Sequence, residues 1–325
     1  MSDNDTLLAA VAPIAGSRAA AVRLNEGRAS LILDVTGLDA AAREAMEAAL
    51  RAALLALPGV EDVRVAMTSE KRVRRLIAVG SGKGGVGKST VAANLAIALK
   101  RAGYKVGLID ADIYGPSQPK LLAAEGLKPE ARDNRLVPVI GAEGIPMLSM
   151  GALVEPGRAI AWRGPMAGNA LSQLIDADWG DAELLIADLP PGTGDVQLSM
   201  IQRHKPAGAV IVSTPQDLAL IDAARAIDLF AQTGVPVIGL IENMAGYQCP
   251  HCGELSDPFG QGGVEAAAKA MGHDFLGRIP LSLAIRAASD EGTPPAAGEG
   301  PEADAFRCIA DAIAAALNKP VPPVV

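Results

Sequence analysis

Several short runs of this sequence carry groups that can do chemistry. Gly82-Lys83-Gly84-Gly85-Val86-Gly87-Lys88-Ser89 fits the pattern G-x-x-x-x-G-K-(S/T) and continues into Thr90. Closely spaced glycines let successive backbone N–H groups turn toward a polyphosphate. A lysine at position 88 brings positive charge to the β and γ oxygens, and the Ser89 hydroxyl can ligate Mg2+. This is nucleotide-phosphate chemistry. Asp110 and Asp112 begin the run Asp110-Ala111-Asp112-Ile113-Tyr114-Gly115-Pro116-Ser117, and Asp188 closes Leu184-Leu185-Ile186-Ala187. Carboxylates at strand ends beside a phosphate loop are where magnesium ligands and water-orienting groups belong. The same residue types at a loop start also serve as turn and cap residues. After Asp188, Pro190-Pro191-Gly192-Thr193-Gly194-Asp195 forms a stiff loop with glycine hinges that can sense a γ-phosphate. Asn243 follows another strand and offers both a donor and an acceptor to a base edge.

Cys249-Pro250-His251-Cys252 holds two thiols at a spacing suited to metal or redox chemistry. A tetrahedral zinc or a 4Fe-4S cluster takes four protein ligands. The chain offers two thiols here and one distant Cys308, so each copy carries half a site. A second copy meeting the first on a twofold axis supplies the other half. A bridging iron–sulfur cluster, a bridging zinc and a redox dithiol all remain open from the residues alone. His251 reads as an exposed loop histidine, and Cys308, in an Ala-rich helix, as a small buried side chain. His204, His273, Trp162 and Trp179 give no site signal.

These groups need elements to position them. Near-continuous apolar strands are expected at Leu76 to Val79, Lys105 to Ile109, Leu184 to Asp188, Ala209 to Ser213 and Val235 to Ile241. Helices are expected at Ser89 to Ala102 and Leu218 to Gln232, with one more Ala-rich helix in the tail Pro301 to Val325. Val91, Leu95 and Leu99 share one face of the first helix, which turns them toward the sheet. The alternation predicts an α/β fold, a parallel sheet with helices on both faces, over residues 71–325. Residues 1–70 read as a small α+β domain: a strand at Ala29 to Val35, a helix at Ala40 to Leu57 and a strand at Val60 to Met67, the last two separated by Pro58-Gly59. The basic run Lys71-Arg72-Val73-Arg74-Arg75 reads as the linker between them. No internal repeat is evident.

Composition narrows the function. Of 325 residues, half are hydrophobic and one fifth charged, as in a globular chain long enough for a sizeable core. Four Phe, two Trp and three Tyr are too few for base-stacking platforms, and a net charge of -8 repels nucleic-acid backbones. No run of apolar residues is long enough to span a bilayer, and the start Met1-Ser2-Asp3 is acidic where a secretory signal is basic. A cytoplasmic protein acting on neither nucleic acid nor membrane is the expectation.

In order and spacing, several motifs resemble the Mrp/ApbC branch of iron–sulfur carriers. They are the phosphate loop with its additional Lys83, the runs Asp110 to Ser117 and Asp188 to Asp195, the stretch from Asn243-Met244 to Cys252, Phe259-Gly260-Gln261-Gly262-Gly263, and Leu276-Gly277-Arg278-Ile279-Pro280-Leu281. That branch belongs to the deviant Walker A ATPases, alongside septum-site and chromosome-partition ATPases and nitrogenase iron protein. The resemblance implies a P-loop NTPase fold and a homodimer in which Lys83 reaches the partner's nucleotide. It implies that Lys83, Lys88 and Asp112 are catalytic, with Asp112 positioning the attacking water. Ser89 and Asp188 would support Mg2+, Gly192 would donate its backbone N–H, and Asn243 would recognise the base, with Asp110 beside them. It further implies ATP hydrolysis, a labile bridging 4Fe-4S cluster on Cys249 and Cys252, and as partners apo iron–sulfur proteins and a cluster-assembly scaffold. Residues 1–70 resemble the small domain often fused ahead of these carriers, without its cysteine or its Asp-Pro-Glu run. The rival within the same ATPases is a partition or septum type with a zinc-bridged dimer acting on DNA or membrane. It needs a basic surface, and the tail from Pro301 carries only Arg307 and Lys319.

Overall fold

The computed structural model of the protein describes residues 3–36, 38, 40–68, 74–132, 135–153 and 164–318. Lys71, Arg72 and Val73 of the basic run, Trp162, and the tail from 319 onward lie outside the described residues. The described residues fall into two compact units, one ending at 68 and one beginning at 74.

The first unit is a three-stranded sheet with two helices. Strand Arg28–Asp34 lies in the middle, antiparallel to Ala19–Asn25 and parallel to Asp62–Thr68. The parallel pair requires a crossover, which helix Ala40–Leu55 provides. Leu31, Leu33, Leu50, Leu54 and Val63 close the core with Leu7 and Val11 of helix Asp3–Ala15. That first helix and the strand after it are absent from the expectations above. The helix contains Pro13, and the strand is broken by a bulge where Ala21 takes a positive φ, so neither shows a clean period.

The second unit is the parallel sheet the sequence predicts. Its strands run in the order Val237–Gln248, Gly208–Ser213, Arg75–Gly80, Leu184–Asp188, Val106–Asp110, Pro146–Ser149, all parallel. Phe275–Leu281 adds a further parallel strand against Val237–Gln248, and the short strands Leu255–Ser256 and Val139–Ile140 run antiparallel at the margins. The central strands are buried along their whole length, which accounts for their uninterrupted apolar sequences. Helices Lys88–Arg101 and Pro301–Leu317 cover one face, with Val91, Leu95 and Leu99 turned onto the sheet beside Phe306 and Ile309. Helices Gly164–Ile175, Asp195–His204, Asp217–Gln232 and Gly263–Met271 supply Leu171, Met200, Phe230 and Val264 to the other face.

Cys308 departs from its expected place and is exposed. Helix Pro301–Leu317 buries Ala303, Phe306, Ile309, Ala310 and Ile313, and the 3.6-residue period sets position 308 on the opposite side. Trp179 is structural: its indole N–H donates to the Leu174 carbonyl at 2.9 Å inside the core. Among the described residues no helix is long and apolar enough to cross a membrane.

Register sets the site. Asp188 pairs with Asp110 on one neighbour and with Val79 on the other, so two carboxylates and the entrance to the phosphate loop stand at one level at the C-terminal edge of the sheet. A further buried carboxylate, Glu242, holds the next segment. It accepts the N–H groups of Gly262 at 3.2 Å and Val264 at 2.9 Å, at the start of helix Gly263–Met271, and Arg278 Nε at 2.9 Å. Arg278 also pairs with Glu265 and lies over the Phe275 ring. This network gives the Phe259 to Gly263 run and the Leu276 to Leu281 run their shared structural purpose. Glu242→Ala strips a charged acceptor from two backbone donors and an arginine, and is expected to destabilise the protein by about 3 kcal/mol. Glu242→Gln should lose less, and denaturant titration of the three proteins measures both.

Candidate functional site

The phosphate loop turns out of strand Arg75–Gly80 and into helix Lys88–Arg101. Two of its glycines are there for space. A Cβ on Gly82 would stand 2.0 Å from the Asp222 carbonyl carbon, so the loop lies directly on the backbone of helix Asp217–Gln232. Gly87 caps the helix at φ +79°, and a Cβ there would stand 2.2 Å from Nδ2 of Asn243. Within the loop the Ser81 hydroxyl donates to the Lys83 carbonyl at 3.0 Å. The Lys83 side chain is half-buried and, among the described residues, carries no ion pair.

Lys88 is 6% exposed, and its ammonium is paired with Asp188 Oδ1. The other oxygen of Asp188 accepts from Gln118 Nε2 at 2.8 Å, and the same Gln118 amide donates to the Ser89 carbonyl at 2.9 Å. Asp110 is fully buried and accepts from the backbone of Gln118 at 3.1 Å, the Ser149 hydroxyl at 3.1 Å and the backbone of Asp112 at 3.2 Å. Asp112, 8% exposed, has its Oδ1 held by the N–H groups of Tyr114 and Gly115. Lys88, Ser89, Asp110, Asp112 and Asp188 are therefore brought together at one edge.

Two further residues are also present, with their functional groups committed inside the protein. The Gly192 N–H donates to the Ser81 carbonyl at 2.9 Å, which docks the Pro190 to Gly194 loop on the phosphate loop. One N–H of Asn243 donates to the Val86 carbonyl at 2.8 Å, so this side chain braces the loop from the adjoining strand. Gln118 has no counterpart among the expected site residues. Its signal was slight: a lone amide behind Pro116-Ser117 at the start of a four-residue helix. Its Oε1 is buried without a partner. The amide it belongs to is bound through its NH2 to Asp188 and the Ser89 carbonyl, and a hydrated Mg2+ on Asp188 and Ser89 could supply the missing donor, so the residues present fit a magnesium nucleotide.

The cysteines sit in a knuckle at the end of strand Val237–Gln248. Tyr247 and Gln248 pair with Ser256 and Leu255, Cys249 N–H donates to the Glu254 carbonyl at 2.9 Å, and Gly253 N–H donates to the Cys249 carbonyl at 2.8 Å. Cys249 is half-buried, while His251 and Cys252 are exposed. The backbone N–H groups of Cys252 and His251, and then the Cys252 thiol, hydrogen-bond to the Cys249 sulfur and hold its pKa below the ordinary thiol value. The turn thus favours the thiolate form of Cys249. Among the described residues no group of three or more His, Cys, Asp or Glu is arranged to hold a metal, so the knuckle brings two ligands and no third from those residues.

Burial, followed by repulsion from Asp188, pushes the Asp110 carboxyl up to about 7 against three hydrogen bonds that pull the other way. The folded group keeps its proton well above the 3.8 at which the unfolded one releases it. Its contribution to stability is therefore largest below that value and declines as the pH rises toward 7. Asp110→Asn is expected to flatten this slope in the nucleotide-free protein, measured by denaturant midpoints between pH 4.5 and 8.

Comparison with known proteins agrees with this geometry. Residues 72–314 match the family model described as NUBPL iron-transfer P-loop NTPase. The "Iron-sulfur cluster carrier protein" of Deinococcus radiodurans is 45% identical over 285 residues, covering 84% of this chain and 81% of that one. The protein of the same name from Escherichia coli K12 is 46% identical over 249 residues, covering 75% and 67%. Among solved structures, a nucleotide-binding protein from Archaeoglobus fulgidus in complex with ADP superimposes with a TM-score of 0.61 at 39% identity, over 69% of this chain and 89% of that one. A phosphate loop backed by paired carboxylates, with this extent of matching sequence, shows that the chain belongs to the NUBPL iron-transfer family of P-loop NTPases.

Proposed function

We propose that this chain is an ATP-binding iron–sulfur cluster carrier. It holds a labile 4Fe-4S cluster between two copies of itself on Cys249 and Cys252, hydrolyses ATP slowly, and passes the cluster to apo-proteins. The observation that carries the reading is the knuckle: two sulfurs on one turn, one made more acidic by backbone donors, with no third ligand among the described residues. Half of a four-ligand site on each copy calls for a twofold partner. Cluster transfer also calls for exposed ligands, and Cys252 is exposed. The carrier names of relatives that cover most of this chain support the same cargo.

At the nucleotide the chain's own groups divide the work. Backbone N–H groups from Gly82 to Ser89 cradle the phosphates, and Lys88 leaves Asp188 to reach the β and γ oxygens. Bound Mg2+ neutralises charge on those oxygens. Ser89 and Asp188 would hold it. Asp112, its Oδ1 already fixed by Tyr114 and Gly115, orients the attacking water. Gly192 exchanges the Ser81 carbonyl for the γ-phosphate. Lys83, half-buried at the loop's entrance, serves the nucleotide of the other copy. Hydrolysis then proceeds by positioning and charge stabilisation, with no covalent intermediate. ATP must thus replace two internal contacts, Lys88 with Asp188 and Gly192 with Ser81, and this replacement is the means by which nucleotide state would alter the shape presented to a partner.

Anaerobic purification or reconstitution is expected to yield about four iron and four sulfide per two chains, together with a dimer in size-exclusion chromatography. Cys249→Ser and Cys252→Ser should each lose the iron while retaining ADP binding. Zinc without sulfide, coupled with ATP-dependent binding to DNA or liposomes, would instead support a partition-type or septum-type role.

A further inference from the structure

Gln118 does more than fill space at the sheet edge. It is fully buried, in a four-residue helical turn between Asp112 and the core. Its Nε2 lies between two acceptors, Asp188 Oδ2 at 2.8 Å and the Ser89 carbonyl at 2.9 Å. Neither acceptor can donate, so the amide can face them only with its NH2 group, and the orientation is fixed. Oε1 is left over, buried and without any partner. Buried acceptors are rarely orphaned unless something absent from the bare chain supplies the hydrogen. The amide that carries Oε1 binds, through its other end, Asp188 and the backbone of Ser89, the two residues that would hold magnesium, which makes that ion's hydration shell a source for the missing donor.

We propose that Gln118 is a positioning residue for the divalent cation. Its Nε2 fixes Asp188 and the start of the phosphate-loop helix, and its Oε1 accepts a hydrogen bond from a water bound to the metal. The assignment rests on the reading of Ser89 and Asp188 as the magnesium site. Mg2+ keeps several of its waters when bound, and protein groups that receive them set both affinity and geometry. Through its backbone N–H on Asp110, the same residue also ties the cation site to the strand that leads to Asp112.

The test measures ADP affinity by titration calorimetry with and without Mg2+, on full-length wild type and two variants whose folding is checked by thermal melting. Gln118→Met keeps the length and removes both polar atoms. Its loss of ADP affinity measured with Mg2+ should exceed its loss measured without Mg2+ by about tenfold. Gln118→Glu keeps an acceptor and sets a second oxygen against Asp188, a repulsion that a cation relieves, so its Mg2+ tightening should exceed that of wild type. Full Mg2+ tightening in Gln118→Met, or equal losses with and without Mg2+, overturns the proposal. Should Gln118→Met fail to fold, unchanged tightening in Gln118→Glu overturns it equally. A wild-type protein that binds no ADP removes the phosphate-loop reading itself, a result distinct from either failure.

Discussion

Two carboxylates that would repel one another are buried side by side at the C-terminal edge of the sheet, and much of the second unit is arranged around that constraint. The parallel register sets Asp110 against Asp188, both fully buried. Lys88 supplies one counter-charge, and Gln118, Ser149 and backbone N–H groups supply donors. Isolated, either carboxylate in an apolar interior would be strongly disfavoured. Together with Lys88 they make a polar island in an aliphatic core. The island is held in tension, because the lysine that neutralises it is the same lysine a polyphosphate would draw away.

One strand ties the phosphate loop to the cysteines. Strand Val237–Gln248 brings Asn243 against the phosphate loop, and Cys249 follows the strand directly. At about 3.3 Å per residue, the backbones of Asn243 and Cys249 are at most about 20 Å apart along this chain segment. That segment is irregular: Met244 and Gly246 have positive φ, and the pairing with Phe275–Leu281 slips between Asn243 and Tyr247. A kinked strand therefore joins the phosphate loop to the cysteine knuckle.

The sequence showed more of the fold than of the fine structure of the site. Strand Leu184–Asp188 and helix Asp217–Gln232 are where apolar runs and periodicity place them, because buried parallel strands leave few alternatives. The matched residues 72–314 carry the motifs on which the family resemblance rests. Helix Asp3–Ala15 was hidden by Pro13, and the exposure of Cys308 by counting alanines instead of assigning faces. Gln118 was illegible, since its importance comes from residues far away in the chain meeting through strand register. Glu242 belongs to no motif singled out in the sequence, yet it anchors a helix start and an arginine. Motifs announce which groups can react; only packing shows which contacts they must first give up.

The hydrogen bonds that acidify Cys249 have a cost in an oxidising setting. A thiol held toward its thiolate form, half-buried beside an exposed second sulfur on the same turn, is the kind of group that peroxide converts to a sulfenic acid and a nearby thiol then captures as a disulfide. Under the proposed function, idle copies would depend on reductants, and a bound cluster would shield the sulfurs that hold it.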